Sequence, residues 1–256
     1  MASYQTQGIV LYRVSSGETD RILTLFTREY GKLSAIAKSA RKSGSRSSGA
    51  TEMFTESRFL LGAGKSVDVI SQVEIKQAFP SLRNDLERLT RATYYCELLD
   101  RFTVERDASD SVRLYDLIIA ALSLLTENAS SMDILVHAFE MRLLEILGYA
   151  PELNVCVMCG EDLNDGPLGF SPSLGGVLCR NHRFQTEDSF SMLPETLKHL
   201  RILQTARKSV LLTLAPSHKS GAEVAKALRR YIRERTDREL KSAIFLDMLR
   251  ASQHEV

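Results

Sequence analysis

The sequence predicts an α+β protein: a small N-terminal β-barrel of five strands, then helices interrupted by a cysteine-bearing arm. Three observations carry this. Up to about residue 80 the apolar residues fall in short β-branched or aromatic runs separated by turn residues. Beyond Pro80 the apolar spacing changes to three and four residues. Among the helical stretches, Cys156-Val-Met-Cys159 is followed after 19 residues by Cys179-Arg-Asn-His182.

The strand runs are Gly8 to Val14, Arg21 to Thr27, Leu33 to Ala37, Met53 to Leu61 and Val67 to Ala78. Turns such as Ser15-Ser16-Gly17, Glu29-Tyr30-Gly31 and Gly62-Ala63-Gly64 separate them. Five strands with no helical period between most of them suggest a closed barrel, for which the OB-fold is the obvious candidate. Gly62-Ala-Gly64-Lys65-Ser66 has the ending of a phosphate-binding loop, but Phe59 stands where that loop needs its first glycine. An alternating run follows instead of a helix, so the segment reads as a hairpin turn.

Leu82, Leu86, Leu89, Ala92, Cys96, Leu99 and Phe102 form one helical stripe, with Ser81 as the expected cap. Cys96 reads as a core thiol. Further helices are expected over Ser111 to Asn128, over Ser130 to Leu147 with Gly148 as C-cap, over Leu193 to Arg207, and over Gly221 to Arg250.

The paired C-x-x-C and C-x-x-H spacing matches a tetrahedral zinc site, with Cys156, Cys159, Cys179 and His182 as ligands. Four protein ligands leave no open position for water, so the ion is expected to be structural. Five glycines between the knuckles suggest an arm with almost no apolar core, whose folding free energy would come mostly from the metal. No His-x-Glu, Gly-x-Ser-x-Gly or paired-carboxylate motif appears, so no enzymatic activity is expected.

The composition, 44% hydrophobic and 25% charged, is that of a globular chain, and no apolar run reaches the roughly 18 residues of a membrane span. The start, Met1-Ala2-Ser3-Tyr4-Gln5, has no secretory signal, so a reducing cytoplasm and unpaired thiols are expected. The net charge of +1 hides a segregation. Gly31 to Ala50 holds Lys32, Lys38, Arg41, Lys42 and Arg46 and no acid, whereas Glu127 to Gly169 holds Arg142 against eight acids. A basic loop of this kind is either ordinary solvated surface or a face for a polyanion.

Gly17-Glu-Thr-Asp-Arg-Ile-Leu-Thr-Leu-Phe-Thr27, Tyr30-Gly-Lys-Leu-Ser-Ala-Ile-Ala-Lys38 and Ala40-Arg-Lys-Ser43 resemble the N-terminal barrel of the bacterial RecO recombination mediator family. The resemblance continues at Leu143 to Pro151, the Cys156 knuckle, Gly175-Gly-Val-Leu-Cys179, Leu240-Lys-Ser242 and Phe245-Leu246. It implies an OB-fold over 1–80, a helical domain over 81–150 and 191–256, and a zinc arm over 151–190 inserted between helices. It also implies a non-enzymatic cytoplasmic, nucleoid-associated role in recombinational DNA repair. In that role a protein binds single- and double-stranded DNA, anneals complementary strands, binds RecR and the C-terminal tail of SSB, and helps load RecA. His182 departs from the cysteine that many members carry, and it remains an acceptable ligand.

On that reading Lys32, Lys38, Arg41, Lys42 and Arg46 contact DNA, with Arg13 and Arg21 as weaker candidates. Tyr12, Phe26 and Tyr30 are the stacking rings, although the alternation around Phe26 favours barrel core. The bases of Ala225 to Lys241 are either a rim for the acidic SSB tail or a solvated helix face. A sequence-specific regulator with a zinc-arm reader is the alternative function, but Glu161 to Gly176 is acidic and glycine-rich, unlike a reading helix.

Overall fold

The computed structural model describes residues 2–45, 47–127, 129, 131–163, 166–236 and 239–253; of the bases expected at the barrel, Arg46 lies outside them. The described residues within 1–127 and 240–256 form one compact unit, and those within 128–239 form a second.

In the first unit, β1 (Ser3–Ser16), β2 (Asp20–Thr27), β3 (Gly31–Ala37), β4 (Glu56–Gly62) and β5 (Asp68–Gln77) close into a barrel in the order β1-β2-β3-β5-β4. That is the OB arrangement the sequence suggests. The closing pair is the parallel contact of β3 with β5, Ala35 opposite Asp68 and Ile36 opposite Val69. The period-two pattern explains the inside: Val10, Leu23, Leu25, Leu33, Ala35, Phe59 and Leu61 form the buried core. Phe26 is buried as well.

Asp68 sits at the closing seam and is itself buried. Its carboxylate accepts from the Tyr4 hydroxyl of β1, from the Gly64 amide of the β4–β5 turn at 2.9 Å, and from Arg106 Nη2 at 3.0 Å. The segment Gly62–Ser66 is therefore a turn, as expected. A Cβ on Gly64 would lie 1.9 Å from the Val67 carbonyl oxygen. Burial pushes the Asp68 carboxyl up, but the Tyr4 hydroxyl, the Gly64 amide and Arg106 together hold it below its ordinary value. The same contact pushes the Tyr4 hydroxyl up to about 12, burial being the largest cause.

The helices of this unit pack on the barrel. The expected single start at Ser81 is corrected by the structure. Pro80 opens a short helix, α1 (Pro80–Arg83), and α2 (Leu86–Phe102) begins afresh at Asp85, whose side chain accepts the Arg88 amide at 2.9 Å. The segment after α2 crosses the barrel so closely that a Cβ on Gly31 would lie 1.9 Å from the Asp107 carbonyl oxygen; Gly31 also holds a φ of +65°. From α3 (Ser111–Leu125), Tyr115 donates to the buried Glu56 of β4 at 2.9 Å, and Lys76 donates to the same oxygen at 3.0 Å.

The expected helix from Gly221 to Arg250 is divided between the units. Its last part, α8 (Lys241–Gln253), packs on α2 in the first unit. The first turn of α8 has no internal partners for its amides. Glu97 of α2 supplies them, accepting Lys241 N at 3.1 Å, Ser242 N at 2.8 Å and the Ser242 hydroxyl.

The second unit contains α4 (Met132–Ile146), β6 (Leu168–Ser171), β7 (Gly176–Leu178), β8 (Phe190–Met192), α5 (Pro194–Thr205), α6 (Lys208–Thr213) and α7 (His218–Thr236). Gly148 ends α4 as expected, with a φ of +74° and Tyr149 N donating to Leu144 O at 2.7 Å. The sheet runs β7-β6-β8, and its Phe170 packs on Phe190 and on Tyr231 of α7. Among the described residues no helix is long and apolar enough to cross a membrane.

Two outcomes follow from these ties. Because the folded Asp68 carboxyl is more acidic than the unfolded one, its stabilisation is complete above about pH 4 and is lost as pH falls through the folded value. The urea midpoint of the wild type should therefore fall towards that of Asp68→Asn as pH drops from about 6 to about 2.5. Glu97→Ala strands two amides at the start of α8 and should cost about 2 kcal/mol in urea unfolding. Hydrogen exchange should show α8 opening first.

Candidate metal centre and basic barrel rim

The sequence places Cys156 and Cys159 in a loop before β6, and Cys179 and His182 just after β7. The first knuckle turns through Gly160, at a φ of +73°, with Gly160 N donating to Cys156 O at 2.8 Å. Val157 N donates to Val177 O at 3.0 Å, which fastens this knuckle to β7. In the second, His182 N donates to Cys179 O at 3.0 Å. The four donor atoms lie within 4.8 Å of one another. Cys156 Sγ is 3.9 Å from His182 Nδ1, Cys159 Sγ is 3.9 Å from Cys179 Sγ, and Cys179 Sγ is 3.3 Å from His182 Nδ1.

Thiolates about 2.3 Å from a tetrahedral ion stand about 3.8 Å apart, so the spacing and the donor chemistry fit a zinc-sized ion. The thiols are electrostatically unequal. Burial pushes Cys156 up, but backbone amides of Cys179, Cys159 and Met158 outweigh it and bring the thiol down to about 6. The Glu161 amide lowers Cys159, whereas burial, hydrogen bonding to Cys156 and Cys179, and the charge on Cys156 raise it to about 11. One sulfur is thus ready as an anion and the next resists a second charge, a conflict that a divalent cation relieves.

The arm is not as hollow as its glycines suggest. Leu153, Leu168, Phe170, Val177, Leu178 and Phe190 are buried, and Arg201 of α5 donates twice to Leu153 O, at 3.0 and 2.7 Å. The expectation that the arm has almost no apolar core is therefore corrected. The sheet has its own core, and an ion would hold the two knuckles.

The bases at the barrel separate into two groups. Lys38, Arg41 and Lys42 are exposed on the turn that follows β3. Buried Ala40 anchors this turn, Arg41 N donates to Thr19 O at 2.9 Å, and Ser39 N donates to Asp20 Oδ1 at 2.8 Å. The Ser39 amide, Thr19 and the charges of Lys38 and Lys42 lower the Asp20 carboxyl. Beside the turn, Lys38 lines a groove of about 500 Å³ with Ser45, Ser47, Ile70 and Gln72. Lys32 lies at the opposite end of β3, where Nζ donates to Asp100 O at 2.6 Å and Asp100 Oδ1 at 3.0 Å. Arg13 and Arg21 meet on Glu52, which was not among the expected site residues.

The rings are dispersed too. Tyr12 faces an apolar groove of about 430 Å³ between α2 and α8, with Leu86, Leu89 and Phe245. Tyr30 is exposed and meets Tyr4 edge-on, ring centroids 4.6 Å apart. On α7, Arg230 lies over the Phe190 ring at 5.2 Å and Arg235 over Tyr231 at 4.4 Å, so both are already packed on their own unit. Asp68, Arg106 and Glu52 carried no sequence signal, because each has side-chain partners tens of positions away.

Comparison with known proteins covers both units. The family model described as "Recombination protein O N terminal" matches residues 1–79, and "Recombination protein O C terminal" matches residues 83–244. A DNA repair protein RecO of Symbiobacterium thermophilum is 38% identical over 257 aligned residues, covering 99% of this chain and 100% of the relative. Those of Desulforudis audaxviator and Pelotomaculum thermopropionicum are 38% and 37% identical, covering 96% of this chain and 97% and 94% of the relatives. The resemblance seen in the sequence is thereby established, and the chain belongs to the RecO family of DNA repair proteins.

Proposed function

We propose that this chain is a non-enzymatic recombination mediator of the cytoplasm and nucleoid. In this reading it binds single- and double-stranded DNA without sequence specificity and anneals complementary strands. With RecR it helps load RecA onto SSB-coated single strands, engaging the SSB C-terminal tail. Membership of the family supports the role. The observation that carries the DNA contact is the turn Lys38–Arg41–Lys42: three exposed cations beside a groove, on a barrel of OB topology.

Physically, these side chains neutralise phosphates and leave the bases free, which is what annealing needs. Two strands approach once their mutual repulsion is lowered, and pairing then supplies the selectivity. No nucleotide hydrolysis is required. Arg46 belongs to the same stretch by sequence. Lys32 contributes through its tie to Asp100, which holds β3 against α2, more than as a free cation. The barrel, residues 1–80, is the DNA-binding part in this proposal, and the arm, residues 151–190, is a braced element.

The ion proposed for the arm is a structural zinc held by Cys156, Cys159, Cys179 and His182. When bound it cross-links the two knuckles and neutralises their thiolates. Glu161, whose carboxylate lies 3.7 Å from Cys159 Sγ, keeps that side of the site acidic and suited to a cation.

Annealing, salt dependence and metal content test the proposal. Annealing of SSB-coated complementary strands should proceed with this protein and respond to RecR; no annealing under any salt condition would remove the mediator reading. Lys38→Ala combined with Arg41→Ala should flatten the plot of log affinity against log salt by roughly 0.7 for each lost phosphate contact. Lys32→Ala should instead lower stability by about 1 kcal/mol and leave that slope nearly unchanged. Protein purified without an affinity tag should carry one zinc per chain. Chelation should speed hydrogen exchange in residues 155–161 and 179–184 while the barrel stays protected, and a content well below one per chain counts against the site.

A further inference from the structure

We propose that Arg13 and Arg21 form an additional phosphate-binding site on the barrel, occupied in the free protein by the carboxylate of Glu52, which a backbone phosphate of single-stranded nucleic acid displaces. This rests on the DNA-binding reading above and adds the residues that regulate it.

The geometry is that of an anion site already filled. Arg13 Nη1 and Arg21 Nη1 converge on the same oxygen, Glu52 Oε1, the second at 3.1 Å. Arg21 Nη1 also donates to Thr51 Oγ1 at 2.6 Å and reaches Ser48 O at 3.5 Å, so its guanidinium is held in place without Glu52. The two arginines lie diagonally on one face of the β1–β2 hairpin, where Arg13 pairs with Leu23 and Ser15 with Arg21. Two cations against one carboxylate leave a local positive excess. A phosphodiester is likewise a monoanion offering paired oxygens to a guanidinium fork.

The occupant can leave cheaply. The backbone around Glu52 is fixed: Thr51 and Phe54 are buried, and Phe54 N donates to Val10 O at 2.9 Å. The Glu52 side chain is 28% exposed, so rotation about its own bonds carries the carboxylate into water with no movement of the loop. Partly exposed ion pairs are weak, so a phosphate has little to overcome.

The site is also continuous with the exposed bases. Arg21 adjoins Asp20, which binds the Ser39 amide, and Arg41 Nη1 reaches Gly17 O at 3.3 Å across the same hairpin tip. A strand lying along Lys38, Arg41 and Lys42 therefore passes the Glu52 position. Glu52 lowers affinity for weak or accidental polyanions and yields to a strand that is already held nearby.

The test is binding of a fluorescent oligothymidylate at low salt by the full chain and by Glu52→Gln, with Glu18→Gln as a control. Glu18 is an exposed acid on the hairpin tip that removes the same charge without touching either arginine. Glu52→Gln should tighten binding several-fold, by more than Glu18→Gln, and adding Arg13→Gln should erase the gain. Equal gains from the two glutamates, or weaker binding by Glu52→Gln, would overturn the inference and leave Glu52 as a brace for its loop. Should Glu52→Gln fail to fold, the wild-type chain still decides: the Arg13 and Arg21 side-chain N–H resonances should shift on adding oligothymidylate, and unmoved resonances overturn the site. A wild-type chain that does not bind oligothymidylate at all removes the DNA-binding reading, and this inference with it.

Discussion

The barrel closes where β3 meets β5 in parallel, and that seam carries a buried carboxylate. Asp68 faces Ala35 across the closing pair and binds β1 through Tyr4, the β4–β5 turn through Gly64, and the segment beyond α2 through Arg106. A buried anion is costly unless its oxygens are filled, and here three donors from three separate stretches fill them. The closure, the turn and the crossing segment are therefore satisfied together. Gly31 shows how tight the result is, since the Asp107 carbonyl occupies the space a Cβ would need. On this frame the Lys38 turn projects from a fixed base.

The same logic, a polar group completed by a distant element, recurs across the first unit. Glu97 caps a helix that begins 144 residues later in the chain. Glu56 takes a tyrosine from α3 and a lysine from β5. Such ties explain why the C-terminal helix belongs with the barrel unit although the chain first builds a second unit. That second unit has its own apolar centre around Phe170 and Tyr231, which changes the role expected of a metal. Sheet and helices bury the apolar side chains, and an ion held there would have only the two knuckle loops to order.

Charge at the barrel rim divides by company. Of the bases expected at the barrel, Lys38, Arg41 and Lys42 face water, Lys32 is spent on Asp100, and the weaker candidates Arg13 and Arg21 share Glu52. Local charge density counts cations; only the acids brought beside them determine how many remain available to a polyanion.

Much of this protein was legible in one dimension. The alternating runs gave the five strands, the change of period gave the helices, Gly148 marked the end of α4, and two knuckle motifs identified four donors that the fold does bring within 4.8 Å of one another. These features are local, because strand alternation, helix period, capping and knuckle turns are set by neighbours within a few residues. What the sequence misjudged were features that depend on long-range packing: the break between α1 and α2 at Asp85, the cored arm, and the separation of Tyr12 from the basic turn. Asp68, Glu97 and Glu52 belong to none of the motifs the sequence offers. Apart from Gly64, their partners lie about 30 to 145 residues away, so only the tertiary structure could decide that the first closes the barrel, the second caps α8, and the third sits on two arginines.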